Sequence, residues 1–245
     1  YKDSEYFNID VQIECANAFY NNGETEKAKN ILTNCSSEDE RVLLLKGKIK
    51  FDEKDLDAAE EIFSKIGKNT QNPEILNFLG LFDLENMKFI DAIKNFSKAA
   101  NLDKSNSKYY YNLANAYFYN GWHEEAQKAY TKALYLNPDN LDYRYSLAYL
   151  YFDEKNYIKS KKEAEAILNI DANHPQTRVL KALLAAEDKD LLGAKEILEE
   201  NIAKGFCDDF TKISLSRIYT ELNIFDKAKK LIEEVIIKNP QNLNY

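Results

Sequence analysis

The sequence predicts an all-α protein, a solenoid of about seven helical hairpins, and the main sign of this fold is a repeat. Seven times a small residue precedes a second packing position by four residues, and that second position is apolar and mostly large. The small residues are Ala28, Ala59, Ala92, Ala126, Ser160, Ala194 and Ala228. Their spacings are 31 and 33 residues and then 34 residues throughout. Such a period is typical of stacked-repeat proteins, in which each copy buries its apolar face on the next.

The composition favours the same fold class. Of the 245 residues, 44% are apolar, and only 7 are Gly and 4 are Pro. Because Gly and Pro are the residues that most often interrupt helices, we expect most of the chain to be helix joined by short turns.

The charge balance argues against two classes of partner. The net charge is −8, and Lys and Arg are scattered without forming a stripe. Nucleic acids and anionic membranes attract clustered Lys and Arg, so we expect no nucleic-acid partner. No stretch approaches the ~20 apolar residues of a transmembrane helix, so we also expect no membrane insertion within this sequence.

The three cysteines bear on the cellular compartment. An odd number does not form a disulfide framework, which favours a cytoplasmic location. The sequence starts with Tyr1, so a periplasmic or membrane-anchored location stays open if a signal or anchor has been removed.

The register of the small residues divides the chain into units. We expect an N-terminal extension at residues 1–8, a solenoid over residues 9–242 and a C-terminal tail at residues 243–245. The seven repeats of the solenoid span approximately residues 9–39, 40–72, 73–106, 107–140, 141–174, 175–208 and 209–242.

The clearest unit is residues 107–140. Its first half carries four residues at the i, i+3, i+4, i+7 spacing of one helical face: Tyr110, Leu113, Ala114 and Tyr117. Gly121 follows and tolerates the positive φ found just past a helix end. A second helical face covers residues 124–136, and Pro138 ends it because proline donates no backbone hydrogen bond. The unit is therefore expected to form a helical hairpin.

This pattern resembles the tetratricopeptide repeat (TPR). The residues that match it are Tyr110, Leu113, Ala114, Tyr117, Ala126, Tyr130 and Pro138. Later units repeat the tyrosine as Tyr151 and Tyr219 and the closing proline as Pro240, whereas Asp83 and Ala185 replace the tyrosine in the third and sixth units. The resemblance implies TPR-like hairpins in a right-handed superhelix, with irregular packing at the two departures.

The same resemblance implies a peptide held in a concave groove that is lined mostly by first helices. Projection of the register gives the groove residues Asn77, Phe78, Lys108, Tyr111, Asn112, Asn115, Phe118, Tyr119, Tyr145, Tyr149 and Phe152. Because a buried amide is costly unless its hydrogen bonds are satisfied, we expect Asn112 and Asn115 on an accessible face. Tyr145 and Phe152 have an alternative role, which is packing between hairpins.

Some members of the family are co-chaperones that grip a terminal carboxylate with several basic side chains. At the corresponding positions of the third to fifth units this sequence offers Lys108 as its one cation. One cation does not form a multidentate clamp, so a carboxylate-terminated tail is not the expected ligand there.

No motif indicates catalysis. The two histidines, His123 and His174, have no metal-ligand spacing with Cys or carboxylates, and the sequence has no Gly-rich phosphate loop. We therefore expect no enzymatic activity, no catalytic residues, no metal and no cofactor.

The last predicted helix, residues 225–238, has a wide apolar surface. It includes Leu231, Val235, Ile236 and Ile237. A stacked-repeat protein needs a polar cap at each end, and none is visible here. We expect these residues to form an oligomer or capping contact with another molecule, with a second copy of the chain or with sequence that follows.

The function predicted from these observations is that of a protein–protein interaction scaffold that binds a peptide segment of a partner in the groove. Two alternatives stay open. The chain could be the regulatory or substrate-recruiting region of a larger enzyme, or it could be a self-assembling structural array.

Overall fold

The structure is a computed structural model, and it describes residues 9–35, 39–66 and 70–238. Within these ranges it contains fourteen helices and no strand, which confirms the predicted all-α class. The helices are α1 (Ile9–Asn21), α2 (Thr25–Thr33), α3 (Glu40–Asp52), α4 (Leu56–Lys65), α5 (Pro73–Glu85), α6 (Phe89–Leu102), α7 (Ser107–Tyr119), α8 (His123–Leu136), α9 (Leu141–Asp153), α10 (Tyr157–Ile170), α11 (Pro175–Glu187), α12 (Leu191–Ala203), α13 (Asp209–Glu221) and α14 (Phe225–Lys238). The predicted terminal extensions and the closing Pro240 lie outside the described residues.

Consecutive helices pair into hairpins, α1 with α2 and so on to α13 with α14. The first helix of α1–α2 and of α3–α4 has 13 residues, as has that of every later hairpin, whereas α2 and α4 have only 9 and 10 residues. Later second helices have 13 or 14 residues. The first two repeats are therefore shorter than the others because their second helices are shorter.

Short polar side chains set where the first helices begin. The carboxylate of Asp39 accepts a hydrogen bond from the first turn of α3, and the amide oxygens of Asn72, Asn106 and Asn140 do the same for α5, α7 and α9. Asp208 caps α13 in the same way. Because each cap fixes the start of a helix, it also fixes the angular position of every side chain along it.

The small residues of the repeat lie where two helices of a hairpin cross. Six of the seven have no exposed surface, and Ala228 is also buried. Two glycines mark the closest approaches: a Cβ atom on Gly47 would lie 2.1 Å from the ring of Phe63, and one on Gly80 would lie 2.6 Å from the ring of Phe96. Close crossings of this kind leave room only for a small side chain, which explains why each copy of the repeat has one at the same position.

The chain divides into two compact units, one within residues 1–104 and the other within residues 105–245. The described part of the first unit contains α1 to α6, and that of the second contains α7 to α14. In the second unit, clusters of buried residues lie between neighbouring hairpins; one of them joins Ala126 and Tyr130 to Leu147 and Tyr151. The candidate site lies in this second unit.

Candidate functional site

The second unit contains a cavity of about 580 Å³, which we call the tyrosine groove. Five helices contribute to it, which are α7, α8, α9, α11 and α13. It is lined by Tyr111, Asn115, Phe118, Tyr119, Tyr130, Asp142, Tyr143, Tyr145, Ser146, Tyr149, Gln176 and Phe210. Eight of these twelve residues are aromatic, so the groove offers large flat surfaces with hydroxyl groups at their edges.

Helical spacing explains why these residues converge. On α7 the lining residues follow the spacing i, i+4, i+7, i+8, and they are Tyr111, Asn115, Phe118 and Tyr119. On α9 the spacing i, i+3, i+4, i+7 brings Asp142, Tyr145, Ser146 and Tyr149 onto one face. The repeat adds a second rule, because Asp142, Gln176 and Phe210 occupy the same register position of three successive first helices, 34 residues apart.

Contacts between rings hold the aromatic floor in place. Tyr111 stacks on Tyr143 with ring centroids 4.5 Å apart, and this contact joins α7 to α9. The ring of Tyr149 meets Phe118 of α7 edge to face at 6.1 Å and Phe210 of α13 edge to face at 6.2 Å. Each geometry is one that aromatic pairs prefer, so the rings are fixed before any ligand arrives.

Hydroxyl and amide groups form a polar edge beside the floor. Tyr130 Oη donates a 2.6 Å hydrogen bond to Asn115 Oδ1, and the Asn115 side chain lines the groove. Tyr111 Oη lies 3.3 Å from Ser146 Oγ. Burial raises the pKa of the Tyr130, Tyr145 and Tyr149 hydroxyls, so these phenols stay neutral donors at pH 7.

The charge in the groove has one sign. Among the twelve lining residues, Asp142 is the one that carries a formal charge, and none is Lys or Arg. His174 Nε2 lies 4.0 Å from Asp142 Oδ1. The groove therefore lacks the cluster of basic side chains that a carboxylate clamp requires, in agreement with the sequence analysis.

The hairpin α7–α8, which supplies five of the lining residues, matches a known family profile. The profile described as the tetratricopeptide repeat matches residues 107–140. This hairpin is a tetratricopeptide repeat. The predicted resemblance is thereby confirmed, and the best-matching unit is the one in which the sequence pattern is clearest.

Solved structures support a helical-repeat fold for the chain. A structure of pilF from Pseudomonas aeruginosa superposes with a TM-score of 0.66 at 18% sequence identity, covering 90% of this chain and 96% of that one. A tetratricopeptide repeat protein from Parabacteroides merdae superposes with a TM-score of 0.67 at 22% identity, covering 81% and 79% of the two chains. The Cut9–Hcn1 hetero-tetramer of APC/C gives a TM-score of 0.63 at 16% identity, covering 90% of this chain and 51% of that one. No curated protein sequence matches the chain.

The structure brings together six of the residues predicted to line the TPR groove, and these are Tyr111, Asn115, Phe118, Tyr119, Tyr145 and Tyr149. Lys108 is exposed near the start of α7 and is not among the lining residues. Phe152 packs between Tyr149 and Tyr157, with ring centroids 6.2 and 5.7 Å away, as in the packing role left open for it.

The prediction that Asn112 is accessible is wrong, because its exposed fraction is 5%. Asn112 shares a buried face of α7 with Tyr109, Leu113 and Ala116, which follow the i, i+3, i+4, i+7 spacing of a packing surface. The polar amide of Asn112 had suggested the accessible side of α7, whereas the residue lies on the buried side.

Two further predicted groove residues, Asn77 and Phe78, lie on α5 in the first unit. Asn77 is buried. Phe78 packs against Phe63 and Phe51, with ring centroids 5.2 and 6.1 Å away. Both residues therefore contribute to packing within the first unit.

Sequence reasoning missed several lining residues. Gln176 and Phe210 were detectable, because they lie 34 and 68 residues after Asp142 in the same register. Tyr130 was assigned to helix packing, and the structure gives it both roles, since it is buried and its hydroxyl reaches Asn115.

The apolar surface of α14 is narrower than predicted. Val235 has no exposed surface and Leu231 is half-buried, because both lie on the face of α14 that also carries Ala228 and packs within the unit. The exposed fractions of Ile236 and Ile237 are 45% and 80%. Any contact with another molecule would therefore use these two isoleucines rather than Val235.

In the part of the chain that the structure describes, no group of three or more His, Cys, Asp or Glu side chains is arranged to hold a metal ion. The described helices also include none that is long and apolar enough to cross a bilayer.

Proposed function

We propose that this TPR protein is an interaction scaffold whose tyrosine groove binds an extended peptide segment of a partner protein. The observation that carries the proposal is the aromatic floor, a cavity of about 580 Å³ shared by five helices of one compact unit. TPR proteins are in general scaffolds for other proteins, which gives the class of partner.

The physical basis is preorganisation. Tyr111 already stacks on Tyr143, and Tyr149 already contacts Phe210, so binding orders few additional side chains. Tyrosine gives a large contact area at low conformational cost, and a buried aromatic anchor can contribute ~2 kcal/mol or more to binding. A segment laid across this floor would gain affinity from area without a conformational change.

Polar groups at the groove edge would orient the bound peptide. The NH₂ group of Asn115 can donate to a peptide carbonyl, and Gln176 offers both a donor and an acceptor from α11. These amides suit an extended backbone, whose carbonyl and N–H groups are unpaired. We propose that no chemistry is performed on the bound segment, because the lining side chains are phenols, benzyl rings, amides, a hydroxyl and one carboxylate.

The experiment uses two phenylalanines with the same exposure. Phe210 lines the groove and is 38% exposed, whereas Phe206 lies in the preceding turn, outside the groove lining, and is 37% exposed. Dodecapeptides selected from a phage-displayed random library would be labelled with fluorescein, and their Kd measured by fluorescence polarisation for wild type, Phe210→Ala and Phe206→Ala.

The proposal predicts that Phe210→Ala raises the Kd about tenfold or more, as expected for a hot-spot ring, while Phe206→Ala changes it less than about twofold. Circular dichroism checks that both variants keep the helical content of the parent. If no peptide is selected, or if both variants bind like wild type, the groove is not the binding site.

We propose a second interaction surface on α14, where Ile236 and Ile237 contact another copy of the chain. Their exposure is the supporting observation. Ile237 is 80% exposed, and covering its apolar surface with a neighbouring molecule would be favourable.

We propose a cytoplasmic location for the protein. Cys15, Cys35 and Cys207 are all free thiols, and two of them are exposed. Exposed free thiols persist in a reducing compartment. Cell fractionation of the tagged full-length protein tests this, and recovery of the protein in a periplasmic or membrane fraction would contradict it.

A further inference from the structure

We propose that the tyrosine groove selects a peptide that carries a positively charged side chain, arginine above all, held between the Asp142 carboxylate and the ring of Tyr145. This inference rests on the proposed function, because it names the chemistry of the ligand that the groove takes.

The first observation is the spacing on α9. Asp142, Tyr145 and Tyr149 lie at i, i+3 and i+7, so they form one row along the groove face of that helix. The carboxylate therefore lies one turn before the first ring. A guanidinium group paired with Asp142 can place its plane over Tyr145, and arginine makes this combination of a carboxylate pair and ring stacking better than lysine does.

The second observation is that the Asp142 carboxylate is accessible and has no Lys or Arg partner within the described residues. Its side chain is largely exposed, and its ion pairing within the described residues is limited to His174 at 4.0 Å. Nδ1 of His174 lies 2.8 Å from Thr177 Oγ1 and 3.4 Å from the backbone nitrogen of Thr177, so this ring nitrogen is engaged at the start of α11.

A carboxylate of the neighbouring helix α10 shows the contrast. Glu163 is paired with Arg144 at 2.9 Å, so its charge is matched within the fold. Asp142 has no such partner among the Lys and Arg residues of the described chain. A charged side chain from outside can therefore supply the missing cation.

The third observation is the field around the rings. Apart from burial, which is the larger cause, the charge of Asp208 contributes to the raised pKa of Tyr145, and the charge of Asp153 contributes to that of Tyr149. Arg217 acts in the opposite direction on Tyr149. Two carboxylates and one cation border the rings, and the lining itself adds a carboxylate, so the balance favours a positively charged ligand.

An acidic peptide fits this surface poorly. Its carboxylates would approach Asp142, and none of the lining residues is a Lys or Arg that could offset the repulsion. A like-charge contact of this kind is a means of excluding partners.

The test starts from the dodecapeptides selected for the groove. In each peptide, the Arg or Lys residues are replaced one at a time, Arg by citrulline, which keeps the shape but removes the charge, and Lys by norleucine. The Kd of each peptide is then measured for wild type, Asp142→Asn and Asp139→Asn. Asp139 is an exposed carboxylate in the turn before α9 and does not line the groove, so its variant matches the change of net charge.

We expect the selected peptides to carry Arg or Lys, and one replacement to raise the Kd about fivefold for wild type, in keeping with an accessible ion pair. Asp142→Asn should raise the Kd of the parent peptide by a similar factor and remove most of the effect of that replacement, whereas Asp139→Asn leaves both values within about twofold of wild type.

Two results would overturn the inference. One is a selected set of peptides without a basic residue, and the other is an equal effect of the charge-removing replacement on wild type and Asp142→Asn. If Phe210→Ala still weakens these peptides, the proposed function stands and only the cationic ligand is rejected. If Phe210→Ala has no effect either, the proposed function fails as well.

Discussion

Tyr149 and Phe210 meet edge to face with ring centroids 6.2 Å apart, although they lie on first helices that are two hairpins apart in the chain. Helix α11 contacts both α9 and α13, so the three first helices form a continuous surface. The contact between the two rings shows that this surface curves enough to bring residues 61 positions apart into one aromatic floor. The tyrosine groove is thus a product of several repeats rather than of one.

The repeat register predicts an overpacked crossing when Ala126 is enlarged. Ala126 has no exposed surface and lies in the cluster that contains Tyr130, so Ala126→Leu should lower the free energy of unfolding by ~1–3 kcal/mol in urea denaturation. Lys128→Leu, at an exposed position of the same helix, should change it by no more than ~0.5 kcal/mol. Equal stability of the Ala126→Leu variant and the parent would show that the register is wrong.

The glycine at position 80 is expected to be required by the ring opposite it. A Cβ atom there would lie 2.6 Å from the ring of Phe96, whose side chain is completely buried. Gly80→Ala should therefore destabilise the protein by ~1–2 kcal/mol even though alanine favours helices more than glycine does.

The same substitution made in a Phe96→Leu variant separates this clash from other effects. With Phe96→Leu already present, Gly80→Ala should cost much less or even stabilise, because the smaller side chain leaves space for the methyl group. If Gly80→Ala destabilises both backgrounds equally, contact with Phe96 is not the cause.

Asp83 is expected to make stability depend on pH. Burial, opposed by a 2.8 Å hydrogen bond from Asn95 Nδ2, raises its pKa from 3.8 to about 6. The native state then holds a proton that the unfolded state has lost, so this residue lowers stability as the pH rises from roughly 4 to 6, and the loss is complete above that window.

Replacement of Asp83 by Asn removes this titration. The melting temperatures of Asp83→Asn and the parent should be similar near pH 4, and the variant should melt at the higher temperature at pH 7. Asp57→Asn, at an exposed carboxylate of α4, controls for the change in net charge. A difference between Asp83→Asn and the parent that does not change between pH 4 and pH 7 would contradict the assignment.

The proposed contact through α14 predicts a dependence of molecular mass on concentration. Light scattering of the parent should show a rise in mass as the protein is concentrated, and the double change Ile236→Glu with Ile237→Glu should abolish it. Ile158→Glu, which exchanges another exposed isoleucine on α10, should leave the rise unchanged. A parent that stays monomeric at all concentrations would refute the contact.

The fold was predictable from the sequence because the repeat is a local property. A small residue such as Ala126 every 34 residues and caps such as Asn106 and Asn140 determine the hairpins without any long-range information. The same register placed Tyr111 and Tyr149 correctly in the groove, because first helices repeat the same orientation.

The remaining parts of the site depend on features that spacing does not contain. Phe210 enters the groove through the curvature of three hairpins, which is set by packing between helices. Asn112 was misplaced because its residue type favours solvent, whereas its position on α7 determines burial. Val235 was misplaced for the converse reason, since an apolar residue near the end of the last helix still packs within its own unit.

The most direct test of the central claim is photo-crosslinking in the groove. Tyr119 lines the groove and Tyr135 is an exposed tyrosine on α8 outside it, so each can be replaced in turn by the photoreactive residue p-benzoylphenylalanine. On irradiation with a selected dodecapeptide, we predict a covalent adduct, seen by mass spectrometry, for the Tyr119 variant and none for the Tyr135 variant. Equal crosslinking of both variants, or crosslinking at Tyr135 alone, would contradict a peptide-binding tyrosine groove.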